Sequence, residues 1–341
     1  MAVTTSIQHA ELRHVSRLTD DRGIFEHARG VHPRFSYGYC TDDNARLLVV
    51  ALRHQTIDTE ALILARVAAR FLLDAQVDDG RVHNRMSFER LWTDSPSSDD
   101  CWGRAMWGFG TAVSLSSDVE LRNRCYEAFG IGHAVRSPYL RSTCFSILGA
   151  AEVLAVEPRH QGALQMMNDA ERYFSQMSDG SGDWLWPEGR LSYANAVIPD
   201  AMIACGIALN NDELLNRGLR LLRWLVRHEI SDDHLSVTPV GGRGPHDVGP
   251  MFDQQPIEVS TIADACRRAS VITGENEWSD VIDLAVTWFM GNNDSAESMI
   301  DLESGGGFDG LHIDGVNENQ GAESTLAMIS TLQHHSSTWL I

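Results

Sequence analysis

Positive charge is scarce in this sequence. Its 341 residues carry 27 basic side chains (Lys and Arg) against 47 acidic ones, which gives a formal net charge of −20 at pH 7. Nucleic acids and anionic membrane surfaces are bound by clusters of cations, so the composition argues against both as partners. A neutral carbohydrate is compatible with this charge balance.

Long apolar runs and paired cysteines are missing as well. No segment approaches the length of a membrane span, and the N-terminus has no basic region followed by an apolar one, so we expect a cytoplasmic protein without a signal peptide. The cysteines stand far apart with no C-x-x-C pair, which predicts small buried residues and not a disulfide frame or a zinc site. They are Cys40, Cys101, Cys125, Cys144, Cys205 and Cys266.

Helical periodicity dominates the chain, and one kind of helix recurs along it. A polar segment opens this helix and an apolar stretch follows, at intervals of roughly 40 to 60 residues, as in repeat folds. An amphipathic helix follows each of the first five, and the N-terminal segment SIQHAELRHVSRL supplies a sixth partner. The six polar segments begin at Thr41, Ser97, Ser137, Ser192, Gln254 and Asn317.

Six apolar helices alternating with six amphipathic ones predict an all-α fold, an (α/α)6 toroid in which residues 1–341 form one domain. Inner helices of such a ring are surrounded by protein and lose the polar stripe that outer helices keep. Small residues in SILGAAEVLA and AMIACGIAL allow the inner helices to pack closely. An open helical solenoid is the alternative, but pairing of the N-terminal helix with the last one favours closure.

All inner helices of a toroid run in the same direction, so their polar N-terminal segments meet at one mouth. Four long loops rich in Gly, Trp and Asp reach the same end of the ring. Loops of this length in a compact domain are usually functional. They span residues 78–96, 178–191, 232–253 and 303–316.

Acidic side chains are concentrated in these mouth segments. Glycoside hydrolysis needs one protonated carboxyl group as acid and one carboxylate as base or nucleophile, and crowding with burial raises the pKa of some carboxyl groups. Acidic residues near helix N-termini also serve as ordinary caps, which is the alternative for each of them. Glu188 or Asp100 is the predicted acid, and Asp43, Glu258 or Glu323 the predicted base.

Aromatic and planar polar side chains accompany the acids. Aromatic rings stack on the apolar faces of sugars, while amides, guanidinium groups and carboxylates pair with sugar hydroxyls. The histidines are scattered and neither EF-hand spacing nor a phosphate-binding glycine loop is present, so we expect no metal and no cofactor. The predicted substrate-binding residues are Asp42, Arg46, Trp102, Arg104, Trp186, Tyr193, Asn195, Asp253, Gln254, Gln255, Asp309, Asn319 and Gln320.

Five motifs in the chain are GYCTDDNARLL, SSDDCWGRAMW, WLWPEGRLSYANAVIPDAM, FDQQPIEVSTIADA, and GGFDGL followed by NENQGAESTLA. Together they resemble a bacterial, glycoside hydrolase-like family of (α/α)6 toroids that can follow a group 4 glycosyltransferase domain. The resemblance spans about residues 8–335 and implies a sugar-related role. The chain has no room for a nucleotide-sugar domain, so we do not expect glycosyltransferase activity from it. The matching positions imply that Asp43, Asp100, Glu188, Asp253, Glu258 and Glu323 lie near the substrate.

The sequence therefore predicts a glycoside hydrolase, with inversion of configuration as the expected outcome, acting on an oligosaccharide or glycoconjugate. An epimerase, lyase or phosphorylase is an alternative, with His83, His246 and His312 for proton transfer and Arg104 with Arg46 for phosphate. A non-catalytic carbohydrate-binding toroid that serves a glycosyltransferase is another. The sequence specifies neither the sugar nor the oligomeric state.

Overall fold

The computed structural model describes residues 11–54 and 59–335. Within these residues the chain forms twelve α-helices that alternate between an inner and an outer ring. The inner helices are α2 (Thr41–His54), α4 (Asp100–Leu115), α6 (Leu140–Val156), α8 (Val197–Leu209), α10 (Pro256–Thr273) and α12 (Ala322–His335). The outer helices are α1 (Arg13–Leu18), α3 (Thr59–Ala75), α5 (Val119–Gly132), α7 (Gln161–Gln176), α9 (Asp212–His228) and α11 (Asn276–Phe289).

The inner helices close into a ring. They pack against one another in the order α2, α4, α6, α8, α10 and α12, and α12 packs against α2. Each outer helix packs against the inner helix before it, and α1 packs against α12, although residues 6–10 of the predicted N-terminal helix lie outside the described residues. The predicted (α/α)6 toroid is confirmed. Since α4 and α10 are three places apart in a ring of six, they stand on opposite sides of the mouth.

Burial follows the two rings as expected. Every residue of α4 from Cys101 to Val113 is buried, whereas α9 buries one apolar stripe and keeps arginines on its other face. Glycines bring inner helices together: a β carbon added to Gly110 of α4 would lie 2.1 Å from the carbonyl oxygen of Gly149 in α6. Only glycine permits so close an approach of two backbones.

Short antiparallel strand pairs stiffen the loops, which the sequence did not predict because strands of two or three residues show no measurable alternation. One pair joins the segment before α2 to the long loop before α4, by pairing Tyr39 with Met86 and Cys40 with Arg85. The pairs are β1 (Ala28–Arg29) with β2 (His32–Pro33), β3 (Tyr39–Cys40) with β4 (Arg85–Met86), β5 (Ile230–Ser231) with β6 (His234–Leu235), β7 (Ile300–Asp301) with β8 (Gly306–Gly307), and β9 (Gly310–His312) with β10 (Gly315–Asn317).

The cysteines behave as predicted. All six are buried, and all six are free thiols. Among the described residues, no helix combines the length and the apolar character needed to cross a membrane.

Candidate active site

A cavity of about 570 Å³ opens at the end of the ring where the inner helices begin. Its wall consists of the first turns of α2, α4, α10 and α12 and of the loops that lead into the inner helices. Ten of the predicted site residues therefore lie together as the sequence indicated. They are Asp42, Asp43, Arg46, Asp100, Arg104, Tyr193, Gln255, Glu258, Asp309 and Glu323.

The N-cap residues of two inner helices differ from those of three outer helices. Outer helices α5, α7 and α9 are capped by the side chains of Asp118, His160 and Asn211. The N-cap residues of α4 and α10, Asp99 and Gln255, make no such hydrogen bond. Side-chain capping therefore explains the polar residues before α5, α7 and α9, whereas Asp100 of α4 and Glu258 of α10, which follow the N-caps, line the cavity.

Asp43 is a buried carboxyl group that pairs with Arg46, which in turn pairs with Glu323. Nη1 of Arg46 donates to Oδ1 of Asp43 at 2.6 Å, and Nη2 donates to Glu323 across the junction of α2 and α12. The thiol of Cys40 lies 3.0 Å from Oδ2 of Asp43. Burial, which outweighs the attraction of Arg46, raises the pKa of Asp43 to about 7.

Glu258, in the first turn of α10, is 3% exposed and holds the turn that precedes α8. Its Oε1 accepts the backbone N–H of Ala194, and its Oε2 accepts the backbone N–H and the side-chain amide of Asn195 at 3.1 and 3.0 Å. Burial and the nearby carboxyl group of Glu229 raise the pKa of Glu258 to about 8, although the N–H donors offset part of the rise. Burial therefore favours the protonated form of Glu258.

Asp100 lines the same cavity as Glu258, from the opposite inner helix. It is the first residue of α4, and its Oδ2 accepts the hydroxyl hydrogen of Tyr193 at 2.8 Å. Tyr193 belongs to the same turn that Glu258 holds through Ala194. Burial and the neighbouring carboxylate of Asp100 raise the pKa of Tyr193, so this hydroxyl stays a hydrogen-bond donor.

Arg104 is a buried cation whose Nε–H donor has no hydrogen-bond partner. Its guanidinium carbon lies 3.9 Å from the centre of the Phe145 ring, and its Nε lies 3.3 Å from Oδ1 of Asp42 without forming a good hydrogen bond. Burial and the nearby Arg46 lower its pKa. A buried guanidinium group without a strong acceptor at the wall of a cavity is well placed to donate to oxygen atoms of a ligand.

Glu188, Asn195 and two predicted tryptophans support the wall from outside. Glu188 accepts hydrogen bonds from both terminal nitrogens of Arg141, at 3.0 and 2.9 Å, and from the indole N–H of Trp186, at 3.2 Å. Trp102 and Trp186 are buried packing residues, each 1% exposed. Asn195 contacts Glu258 and does not line the cavity itself. None of these four lines the cavity.

The remaining predicted binding residues fix the loops. Gln254 donates to Asp294 at 2.6 Å, and Gln320 donates to Asp301 at 2.8 Å. Asn319 accepts the backbone N–H of Gly30 through its side chain. Asp253 lies in the same loop as Gln254 and, like it, does not line the cavity.

Sequence reasoning missed several wall residues, above all Glu26, His27 and Arg85. Arg85 pairs with Glu26, and His27 lies beside it with Nε2 3.7 Å from Oε1 of Glu26. Glu26 and His27 precede the first motif and belong to no helix, so no periodic signal marks them. Arg85 lies in a loop predicted to reach the mouth, but its position there depends on the pairing of β3 with β4.

One cluster within residues 11–54 and 59–335 brings together atoms that bind metals: those of Glu26, Cys40 and Asp43 lie within 4.8 Å of one another. Arg85 already pairs with Glu26, and Arg46 with Asp43. Burial raises the pKa of the Cys40 thiol, which opposes the thiolate that a metal would require. The cluster is thus a poor match to a cation site.

The fold and the site define an (α/α)6 toroid with a carboxylate-rich mouth. No family model and no curated protein sequence matches the chain. Solved structures that match include a sugar epimerase from a ruminal bacterium, with TM-score 0.69, 12% identity and 96% of each chain covered. Cellobiose 2-epimerase from Bacillus thermoamylovorans matches with TM-score 0.70, 11% identity and 95% of each chain covered. A GH76 α-mannanase from Bacteroides thetaiotaomicron matches with TM-score 0.67 and 9% identity, and the match covers 95% of this chain and 93% of that one. At these identities the likeness shows the fold.

Proposed function

We propose that this protein is a glycoside hydrolase in which Glu258 is the general acid and Asp100 the general base. The observation that carries the proposal is the placement of these two carboxyl groups at the starts of opposite inner helices, on the wall of one cavity. Paired carboxyl groups on either side of a glycosidic bond are what its hydrolysis requires.

Glu258 fits the role of acid because burial raises its pKa to about 8. A carboxyl group that is protonated at neutral pH donates its proton to the leaving oxygen of a glycoside. Its hydrogen bonds to Ala194 and Asn195 fix the side chain in place. The sequence suggested the reverse, with Asp100 as a possible acid and Glu258 as a possible base.

Asp100 fits the role of base because its carboxylate faces the cavity and accepts one hydrogen bond, from Tyr193, at Oδ2. The other oxygen is then open to a water molecule or to the sugar. Inversion, in which water lies between the base and the sugar, is the proposed outcome and needs the two carboxyl groups about 6.5–9.5 Å apart. Arg104 and Asp42, next to each other on the wall, are suited to the sugar hydroxyls.

Two features support a sugar as the substrate. The cavity wall combines carboxylates, guanidinium groups and the Tyr193 ring, which suits a polar ligand with apolar faces. The matched toroids include epimerases and an α-mannanase, so this architecture is used for sugars elsewhere.

Epimerisation is the second candidate, because His27 lines the cavity and two of the matched structures are sugar epimerases. Moving a proton from one face of a sugar to the other takes two proton-transfer groups. Of the histidines that the structure describes, His27 alone lines the cavity, and the three in the predicted mouth loops do not. Hydrolysis is therefore the better supported reaction.

The test is to incubate the purified protein with aryl glycosides and with oligosaccharides, in the presence and absence of phosphate. Hydrolysis releases a reducing sugar without phosphate, phosphorolysis requires phosphate, and epimerisation yields an isomer of unchanged mass. Proton NMR of the first product formed distinguishes inversion from retention. Matched variants are Glu258→Gln with Glu318→Gln as its control, since Glu318 is exposed at the mouth.

Turnover that Glu258→Gln abolishes and Glu318→Gln preserves supports the proposal. Sugar binding without any turnover across the panel would instead favour a non-catalytic carbohydrate-binding toroid. An isomerised product would favour epimerisation.

A further inference from the structure

Three aromatic residues on the segments beside the cavity are exposed. Phe35, Tyr37 and Phe88 are 50%, 47% and 48% exposed, and we call them the aromatic platform. The Phe35 and Phe88 rings lie 5.2 Å apart at an angle of 36°. An apolar cluster that a protein keeps in contact with water usually has a binding function.

The platform is built on a rigid base. The Phe35 ring packs edge-on against Phe25 at 4.9 Å, and Phe25 stacks on the fully buried Tyr39 at 4.6 Å. The loops that carry Phe35 and Phe88 meet at Gly38, where an added β carbon would lie 2.1 Å from the backbone oxygen of Met86. The Phe35 and Phe88 rings are therefore the outer end of a column of aromatic rings that starts in the core.

The platform continues the wall of the cavity. His27 lines the cavity and its ring lies edge-on to Tyr37, with 4.8 Å between ring centres. Arg85, three residues before Phe88, also lines the cavity, and so does Cys40, three residues after Tyr37. A ligand that leaves the cavity past His27 thus reaches Tyr37 first.

We propose that the aromatic platform is a distal subsite that binds sugar units of an oligosaccharide whose reacting end lies in the cavity. Sugar rings present C–H faces that pack on aromatic rings, and polar groups beside the rings hold their hydroxyls. Arg34 is such a group: its guanidinium carbon lies over one face of the Tyr37 ring, 4.3 Å from the ring centre, so a sugar would pack on the other face. The inference rests on the proposed function for the identity of the ligand, and it assigns the substrate to chains of several units.

The experiment measures binding and not turnover. Calorimetric titrations with cello- and manno-oligosaccharides of two to six units are made in the Asp100→Asn background, in which turnover is expected to be slow. The platform variants are Phe88→Ala and Tyr37→Ala. Tyr173→Ala is the matched control, because Tyr173 is 43% exposed on outer helix α7 and belongs neither to the cavity wall nor to the platform. Phe88→Trp tests whether any aromatic ring suffices, and circular dichroism verifies the fold of each variant.

Affinity is expected to rise with chain length in the parent protein. Phe88→Ala and Tyr37→Ala are each expected to weaken binding of the longer chains by about fivefold and to leave disaccharides unchanged. Phe88→Trp and Tyr173→Ala should bind as the parent does. Affinity that is independent of length, equal losses for all lengths, or no binding by the parent would overturn the subsite. So would a dimer in sedimentation velocity that Phe88→Ala abolishes, because a second copy would then cover the platform.

This result is separable from the proposed function. Length-dependent binding without turnover would support the subsite and contradict the proposed hydrolase activity. Hydrolysis of short aryl glycosides without a length effect on binding would support the hydrolase activity and contradict the subsite.

Discussion

The hydroxyl group of Tyr193 lies 2.8 Å from Oδ2 of Asp100, although the two residues are 93 positions apart in the chain. The backbone turn that carries Tyr193 is held in turn by Glu258, through the N–H groups of Ala194 and Asn195. The proposed acid and base are therefore connected through one turn between opposite helices. Tyr193 therefore links the position of Asp100 to the turn that Glu258 holds.

Asp100→Asn removes the proposed base and keeps an acceptor for Tyr193. We expect kcat to fall by a factor of about 10² to 10⁴, the usual contribution of a general base. Asp99→Asn is the matched control, because the neighbouring Asp99 is exposed and makes no capping hydrogen bond. Steady-state kinetics on one aryl glycoside compare the two variants. Equal rates in both would remove Asp100 from the mechanism.

The pH–rate profile should fall on its alkaline side. Only protonated Glu258 donates a proton, and its pKa is raised to about 8, so the rate is full below this pH and is lost above it. The residual activity of Glu258→Gln should lack this decline, since an amide does not titrate. Initial rates between pH 5 and pH 10 measure both profiles. An unchanged alkaline decline in the variant would assign it to another group.

Gly110→Ala should destabilise the fold. The added methyl group would lie 2.1 Å from the carbonyl oxygen of Gly149, so α4 and α6 would have to move apart at a cost of about 1–3 kcal/mol. Gly130→Ala, on outer helix α5, meets no atom within 4 Å and should be neutral or stabilising by about 0.5–1 kcal/mol. Urea unfolding gives both free energies of unfolding. A neutral Gly110→Ala would show that the two inner helices can move apart easily.

Asp264→Asn should weaken the inner ring below the cavity. Burial alone would raise the pKa of Asp264, but Arg53, 2.8 Å away, and His334 lower it well below its usual value. Because the folded-state pKa is lowered, the carboxylate stabilises the fold above the unfolded-state pKa, and this stabilisation is lost on acidification. We expect a loss of about 3 kcal/mol at pH 7.

The exposed Asp283, which pairs with His335, provides the control for this prediction. Asp283→Asn should change the free energy of unfolding by less than about 1 kcal/mol. The difference between Asp264→Asn and the parent protein should shrink as the pH of the unfolding experiment falls. A pH-independent difference would point to lost packing and not to the charge.

The architecture was predictable because it depends on the polarity and periodicity of short stretches of sequence. The six polar segments each lie at or just before the start of an inner helix, and the burial of α4 from Cys101 to Val113 follows from its lack of a polar stripe. Half of the site was predictable for the same reason. Asp43, Asp100, Glu258 and Glu323 are in first helical turns, and a toroid brings first turns together.

The loop residues were less predictable because their positions depend on contacts that are distant in sequence. Glu188 and Glu258 stand in equally polar motifs, yet Arg141 of α6 pairs with Glu188, while Glu258 faces the cavity. His27 and Arg85 reach the wall through strand pairs too short to show in the sequence.

The sequence by itself determined the helices, their alternation and the end of the ring at which the acids collect, because periodicity and polarity are local properties. Only the tertiary structure decided which carboxyl groups have a raised pKa. The pKa values of Asp43 and Glu258 depend on burial and on neighbours from other helices, and the sequence alone does not reveal those neighbours.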